Sequence, residues 1–177
     1  MEFDFVYIVS RLETTFTTYY HSPVGALRIS CTETYLYEVH FEKSDIDIVA
    51  LPDSDHHDLL QQTVEQLIEY FNGARRTFNL PLQQKGTDFQ QSVWNKLLEI
   101  PFGKTISYMD LAKRLGDPKV IRAAASTNGK NNIAIIVPCH RVIGSGRDLV
   151  GYAGGLWRKK WLLEHEMKIA HGVQTLF

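Results

Sequence analysis

Hydrophobic and polar positions follow two patterns along the chain, and the change comes near residue 85. In the first half, apolar residues come in short runs rich in β-branched and aromatic side chains: Phe5 to Val9, Thr14 to Tyr20, Ala26 to Cys31 and Thr34 to Phe41. Such side chains suit a pleated, half-buried surface. Ser22-Pro23-Val24-Gly25 places turn residues between two of the runs, so the pattern predicts a small, mostly antiparallel sheet. Asp45 to Asp58 is acidic and turn-rich, a surface loop. From His57 to Phe71 the period becomes helical, with Leu60, Val64, Leu67, Ile68 and Phe71 on one face and Asn72-Gly73 as the stop. That helix is expected to cover one face of the sheet.

Arg75 to Gly86 carries Pro81 and glutamines without a helical stripe, which places a domain boundary near Gln84 and divides the chain into 1–84 and 85–177. Beyond it, Thr87 or Asp88 caps a helix whose apolar face is Phe89, Val93, Trp94, Leu97 and Leu98; Ile100-Pro101-Phe102-Gly103 stops it. Ser107 caps a second helix through Leu111, Ala112 and Leu115. A third starts at Pro118 and runs through Arg122 and Ala123-Ala124-Ala125 to Asn128-Gly129. Two short helices around a tight turn have the layout of a helix-turn-helix. The third helix is poor in side chains that read base edges, but small residues let a backbone approach a surface, and Arg122 can act as a wedge or a phosphate contact. An ordinary alanine-rich packing helix is the other reading.

The candidate chemistry follows that helix. Ile133 to Val137 is a continuous apolar run that reads as a buried strand, and it leads into Pro138-Cys139-His140. On a strand Cys139 and His140 would point to opposite faces, so they can cooperate only where Pro138 has ended the strand and the chain turns. There an imidazole can take the thiol proton and leave the thiolate, the nucleophilic form of cysteine. Taken alone, the pair is more simply a buried apolar cysteine beside a solvated histidine. Gly151 to Gly155 supplies a loop whose backbone can approach a ligand closely. On a last helix, Leu156 to Met167, Trp161, Leu162, Leu163 and Glu166 lie near one another, and Glu166 is placed to meet His140. A solvated carboxylate is its plain alternative.

Composition narrows the classes of function. With 44% apolar residues in 177, the chain can build a core. Its acidic start is unlike a basic signal peptide, and no apolar run has the length of a membrane span, so a cytoplasmic address, or a nuclear one in a eukaryote, is expected. Cys31 and Cys139 are the only cysteines, without a paired motif for zinc or redox work, and both thiols are expected free. His56-His57, between Asp55 and Asp58, is assigned no metal because nothing nearby in the sequence completes a ligand set. The formal net charge of −1 hides an asymmetry. Residues 1–84 hold five Lys/Arg against thirteen Asp/Glu, a net of −8, whereas residues 85–177 hold fourteen against seven, a net of +7. The second half alone has the footprint of a polyanion binder.

Several motifs occur together in one order. Phe89-Gln90 and Val93-Trp94 precede Ile100-Pro101-Phe102-Gly103-Lys104-Thr105, Ser107-Tyr108, Asp117-Pro118, Arg122-Ala123 and Asn128-Gly129 with Asn131. Ile136-Val137-Pro138-Cys139-His140-Arg141-Val142-Ile143, Gly151-Tyr152-Ala153-Gly154-Gly155 and Trp161-Leu162-Leu163-Glu164-His165-Glu166 follow. On these motifs the chain resembles the O6-alkylguanine-DNA alkyltransferases, also called methylated-DNA protein-cysteine methyltransferases. The resemblance is close over the second half and looser over the first, where Ser22-Pro23-Val24-Gly25-Ala26-Leu27 and Leu67 to Phe71 carry it.

The resemblance implies an α+β fold, with an N-terminal ribonuclease-H-like α/β domain followed by a winged-helix-like helix-turn-helix domain. It implies DNA repair by irreversible, stoichiometric transfer of an alkyl group from O6 of guanine, or O4 of thymine, to Cys139, each molecule acting once without a cofactor. The implied partner is double-stranded DNA containing O6-alkylguanine, bound through the minor groove by a monomer, with the damaged base flipped out and no membrane involved. Cys139 is then the acceptor, His140 its base through a bound water, Glu166 the carboxylate orienting that histidine, and Tyr108 the donor to the leaving guanine. Arg122 fills the gap in the base stack, with Ala123, Ala124 and Ser126 of the same helix on the DNA. Asn131 braces the cysteine turn, and the backbone at Cys139, Val142 and Ala153, with Tyr152 as a wall, recognises the base.

The chain departs from the family at named places. Some members bind zinc through two cysteines and two histidines of the N-terminal domain; Cys31 is the single cysteine there, so no metal is expected. Asn132 stands where proline is common, Val120-Ile121 where smaller residues are usual, and Ala153 where some members have serine. Two other functions fit parts of the sequence. A multiple-turnover cysteine hydrolase would use Cys139, His140 and Glu166, and a DNA-binding regulator would have no need of Cys139.

Overall fold

The computed structural model describes residues 14–42 and 57–172. The expected strand at Phe5 to Val9, and all of the acidic loop before His57, lie outside the described residues. Strands β1 (Thr15–Ser22), β2 (Gly25–Thr32) and β3 (Leu36–Phe41) form an antiparallel sheet in that order. The predicted turn joins β1 to β2: Ser22 pairs with Gly25, and the Ser22 hydroxyl donates to the Gly25 carbonyl at 2.6 Å. Helix α1 (Asp58–Phe71) packs on β1 and β2. Its buried face is rotated from the expected one. Leu60, Leu67 and Phe71 are inside, but Ile68 is 40% exposed while Tyr70 is fully buried. Tyr70 packs against Phe71, Phe78 and Phe102, and such a ring buries more apolar area than an isoleucine.

The other edge of β3 is covered by both halves, by residues 81–83 of the first and 132–134 of the second. Leu36 N–H donates to the Pro81 carbonyl (2.8 Å), Gln83 N–H to Leu36 (3.0 Å), Val39 N–H to Asn132 (2.9 Å) and Ala134 N–H to Val39 (2.9 Å). A strand edge that would otherwise expose its polar backbone is thereby covered.

In the second half, Thr87 caps α2 (Asp88–Leu98) and Ser107 caps α3 (Tyr108–Arg114), each in a reciprocal box with the residue three positions on. Val93, Trp94 and Leu97 face the core, whereas Leu98, expected beside them, is exposed. The third helix begins with a 3-10 turn at Pro118–Val120 and continues as α4 (Ile121–Asn128), which packs against α2 and α3. The two-residue strands β4 (Ile106–Ser107) and β5 (Val142–Ile143) pair in parallel, and α5 (Leu156–His171) runs four residues beyond its predicted end.

Ile133 to Val137 is buried as expected but is not a strand. Ile136 N–H turns back to the Ala134 carbonyl (2.8 Å), Val137 N–H to Ile133 (3.0 Å), and Ile135 has a φ of 70°. A continuous apolar run fits a buried turn as well as a strand, provided its backbone polar groups are satisfied. Asn131 satisfies them: its Nδ2 donates to the carbonyls of Val137 (2.8 Å) and Ile133 (3.3 Å).

Candidate active site

Cys139, His140 and Arg141 form one 3-10 turn directly after Pro138. The change of direction that the pair requires is therefore present. Cys139 is 5% exposed, and its Sγ accepts from Asn131 Nδ2 at 3.1 Å. Burial pushes the thiol up and outweighs the opposing pull of the Asn131 donor and the Lys159 cation.

Lys159 was not apparent as a site residue in the sequence. It is fully buried, its Nζ donates to the carbonyls of Val142 (2.7 Å) and Val150 (2.8 Å), and it lies 5.9 Å from the centre of the Tyr108 ring. Burial pushes its ammonium down to about 8, with Cys139 acting in the opposite direction. One signal was available: Lys159, Leu162, Leu163 and Glu166 share a face of α5 at helical spacing, and a lysine within an apolar stripe calls for a buried partner.

His140 is fully buried, and its Nε2–H donates to Glu166 Oε1 at 2.8 Å. In that tautomer Nδ1 is an acceptor, and among the described residues it has no hydrogen-bond partner. Burial pushes the imidazole down by more than Glu166 raises it, so the ring is held neutral, ready to accept a proton. Glu166 also receives Arg141 Nε (3.0 Å) and Nη2 (3.0 Å), the Gly103 N–H (3.0 Å) and the Tyr70 hydroxyl (2.9 Å). Burial alone would raise this carboxyl; His140 and Arg141 together hold it well below the usual carboxylate range. Gly103 has a φ of 69°, and a Cβ there would meet Ala170 at 2.5 Å, so a glycine is needed to bring that N–H in.

Tyr108 places its hydroxyl 3.5 Å from both Asn128 Nδ2 and the Val150 carbonyl, and burial followed by Cys139 pushes its pKa up. Val142 is fully buried, with its carbonyl held by Lys159. Tyr152 packs edge-on against Phe41 of β3, and among the described residues its hydroxyl has no partner. Cys139, Asn131, Tyr152 and Ala153 line a cavity of about 20 Å³, to which β3 adds His40 and Phe41. Phe41 approaches the glycine loop so closely that a Cβ on Gly154 would lie 2.5 Å from its ring.

The α4 residues divide. Arg122, Ala123 and Ser126 are exposed together, whereas Ala124 is 0% exposed and faces the core. Positions three and four apart share a helix face, so Ser126 lies beside Arg122 and Ala123 while Ala124 points inward. The expected DNA contact by the Ala124 side chain is thus replaced by packing of α4 onto the core.

In the first half, Cys31 Sγ lies 3.4 Å from His57 Nδ1, and His57 Nε2 lies 3.5 Å from Glu33 Oε2. Both cysteines are free thiols. Among the described residues, no three His, Cys, Asp or Glu side chains are arranged to hold a metal ion, and no helix is long and apolar enough to cross a membrane.

Two family models match the chain. Residues 15–84 match the ribonuclease-like domain of 6-O-methylguanine DNA methyltransferase, and residues 88–168 match its DNA binding domain. The chain belongs to the 6-O-methylguanine DNA methyltransferase family. It has the family's mixed α/β architecture, with a ribonuclease-like domain first and a helical DNA-binding domain second. Among curated family members it is 44% identical over 149 residues to the methylated-DNA–protein-cysteine methyltransferase of Methanosarcina acetivorans, covering 83% of this chain and 95% of that one. The constitutive enzyme of Bacillus subtilis is 40% identical over 154 residues, or 85% and 93% of the two chains. The Mycobacterium tuberculosis protein in a crystal structure with DNA superposes with a TM-score of 0.76 at 41% identity, over 85% of this chain and 92% of that one. The Asn132 N–H donates to Gln84 Oε1 at 2.8 Å, and Gln84 Nε2 donates to Asn131 Oδ1 at 3.1 Å. A proline could not make the first bond.

Proposed function

We propose that the protein repairs DNA by moving the alkyl group on O6 of guanine, or O4 of thymine, irreversibly onto Cys139, one group per molecule. The observation that carries this reading is the Cys139 thiol set beside the Asn131 amide and the Lys159 cation, with the His140–Glu166 pair next in the turn. His140 Nδ1 takes the thiol proton through one water molecule, and Glu166 stabilises the resulting imidazolium. Asn131 and Lys159 favour the thiolate over the thiol. The thiolate attacks the alkyl carbon. A carbon–sulfur bond forms as the carbon–oxygen bond breaks, and the electron pair passes into the guanine, which takes a proton from the Tyr108 hydroxyl. Proton transfer from the imidazolium through solvent restores the phenol. The products are a thioether and an ordinary guanine, so the balance calls for no cofactor.

Double-stranded DNA is bound through the outer face of α4. Ala123 and Ser126 let the helix backbone come close in the minor groove, and Arg122 enters the space left by the flipped base. The base is read beside Tyr152 by the backbone at Cys139, Val142 and Ala153. A cavity of about 20 Å³ holds roughly one water-sized group, so the Gly151–Gly154 loop must shift to admit the base. The positive net charge of residues 85–177 makes binding fall as salt rises. The protein works as a monomer, divided between Gln84 and Lys85. Its setting is the cytoplasm, or the nucleus of a eukaryote, where reducing conditions keep Cys139 a thiol. The test is to mix the protein with duplex DNA carrying O6-methylguanine and weigh it. One added methyl group per molecule, mapping to Cys139, is expected; product beyond one equivalent, or an unmodified Cys139, overturns the reading.

A further inference from the structure

We infer that Tyr70, on α1 of the first domain, is a positioning residue for alkyl transfer, donating its hydroxyl to Glu166 and so setting how strongly that carboxylate acts on His140. The inference rests on the function proposed above. Tyr70 and Glu166 are 96 positions apart, and the bond between them, 2.9 Å long, is buried. The Tyr70 ring is fixed by Phe71, Phe78, Phe102 and His165, and its own carbonyl lies 2.9 Å from His165 Nε2. The hydroxyl therefore has little freedom to leave the carboxylate.

The oxygen it meets is the one that holds the histidine. Glu166 Oε1 accepts from Tyr70, His140 Nε2 and Arg141 Nη2, whereas Oε2 takes Arg141 Nε and the Gly103 N–H. A hydrogen bond to a carboxylate draws on its charge, and donors on one oxygen share its lone pairs. If Glu166 acted on His140 without that sharing, it would hold the ring more firmly as imidazolium, which cannot accept the Cys139 proton. Tyr70 moderates this and fixes the direction of Oε1, hence which way Nδ1 faces. The other charged or titratable groups around the pair are Arg141 on the turn, Lys159 and His165 on α5, Tyr152 on the glycine loop, and Cys139. Burial, followed by Glu166, pushes the Tyr70 hydroxyl well up, so it stays a donor throughout the working range. The first domain thus reaches the carboxylate behind His140 through a phenol.

The test is Tyr70→Phe, which keeps the ring and removes the donor. Single-turnover methyl transfer from O6-methylguanine duplex is followed against pH for wild type and variant, with DNA affinity measured alongside. A rate about 3- to 10-fold lower near neutral pH is expected, the size for one ordinary intramolecular hydrogen bond. Its acid limb should move to higher pH, because the freed carboxylate makes His140 more basic, and DNA affinity should be unchanged. In a Glu166→Gln background the same change should cost nothing further. An unmoved acid limb, or an equal loss in both backgrounds, overturns the inference. A wild type that places no methyl group on Cys139 overturns the function itself, a result distinct from either. Should Tyr70→Phe fail to fold, proton NMR of the wild type decides: a slowly exchanging phenol proton far downfield, shifted in Glu166→Gln, supports the bond, and its absence overturns it.

Discussion

The protein holds two sets of the same three residue types, Cys31–His57–Glu33 in the first domain and Cys139–His140–Glu166 in the second, and the comparison shows what makes a thiol reactive. Both sulfurs are buried. In the first set the sulfur lies directly beside the imidazole, at 3.4 Å, yet burial and then Glu33 push the thiol up to about 11. Glu33 is 70% exposed, and its charge acts on the sulfur as well as on the histidine. In the second set the carboxylate is sealed behind the histidine by Arg141, Gly103 and Tyr70, while an amide and a cation face the sulfur. The residue types do not decide reactivity. Burial pushes both thiols up, and on the proposed mechanism they are separated by the sign of the field at sulfur and by the carboxylate being kept on the far side of the imidazole.

The first way to break this comparison is to ask which thiol is consumed. Cys139→Ser should lose all methyl transfer and leave Cys31 unmodified, as judged by peptide mass after exposure to methylated duplex; a methyl group on Cys31 would erase the distinction. Next comes the cation. Lys159→Met should slow transfer about 10- to 100-fold, or ~1.4–2.7 kcal/mol, in single-turnover assays near neutral pH. Because Lys159 is pushed down to about 8, its help is complete below that pH and fades above it. The variant should lack that decline.

The sealed carboxylate gives a smaller effect, on stability. Its folded pKa is depressed, so its contribution is present above the unfolded value of about 4.3 and is lost as pH falls. Thermal unfolding followed from neutral to acid pH should show this slope in the wild type and less of it in Glu166→Gln. Smallest of all is Glu33→Gln. Burial is the main cause of the raised Cys31 thiol, so the variant should lower it only slightly, as read by thiol titration in the Cys139→Ser background.

The helices and their caps were legible in the sequence because Thr87 and Ser107 signal through local bonds, and Glu166 was legible because it continues an apolar stripe. The groups that tune the site were not. Tyr70, Arg141 and Lys159 were not singled out, since each finds its partner on a distant element. Ile133 to Val137 misled for a related reason. Apolar runs record burial, whereas the direction of the backbone there is set by Asn131, which is polar and lies outside the run. The inward turn of Ala124 could be read from helical spacing only once the buried face of α4 was known.

Ile135 ties the shape of the reacting segment to the contact between the two domains. A β-branched residue at a φ of 70° is unfavourable by about 1–3 kcal/mol, and a free chain would relax from it. It is held by neighbours that pair with β3, Asn132 and Ala134, which come just before it in the chain. Until the two domains have docked, the segment has no reason to adopt this shape. Breaking that edge pairing would therefore release Ile135 and, with it, the turn that carries Cys139, although no first-domain residue belongs to that turn.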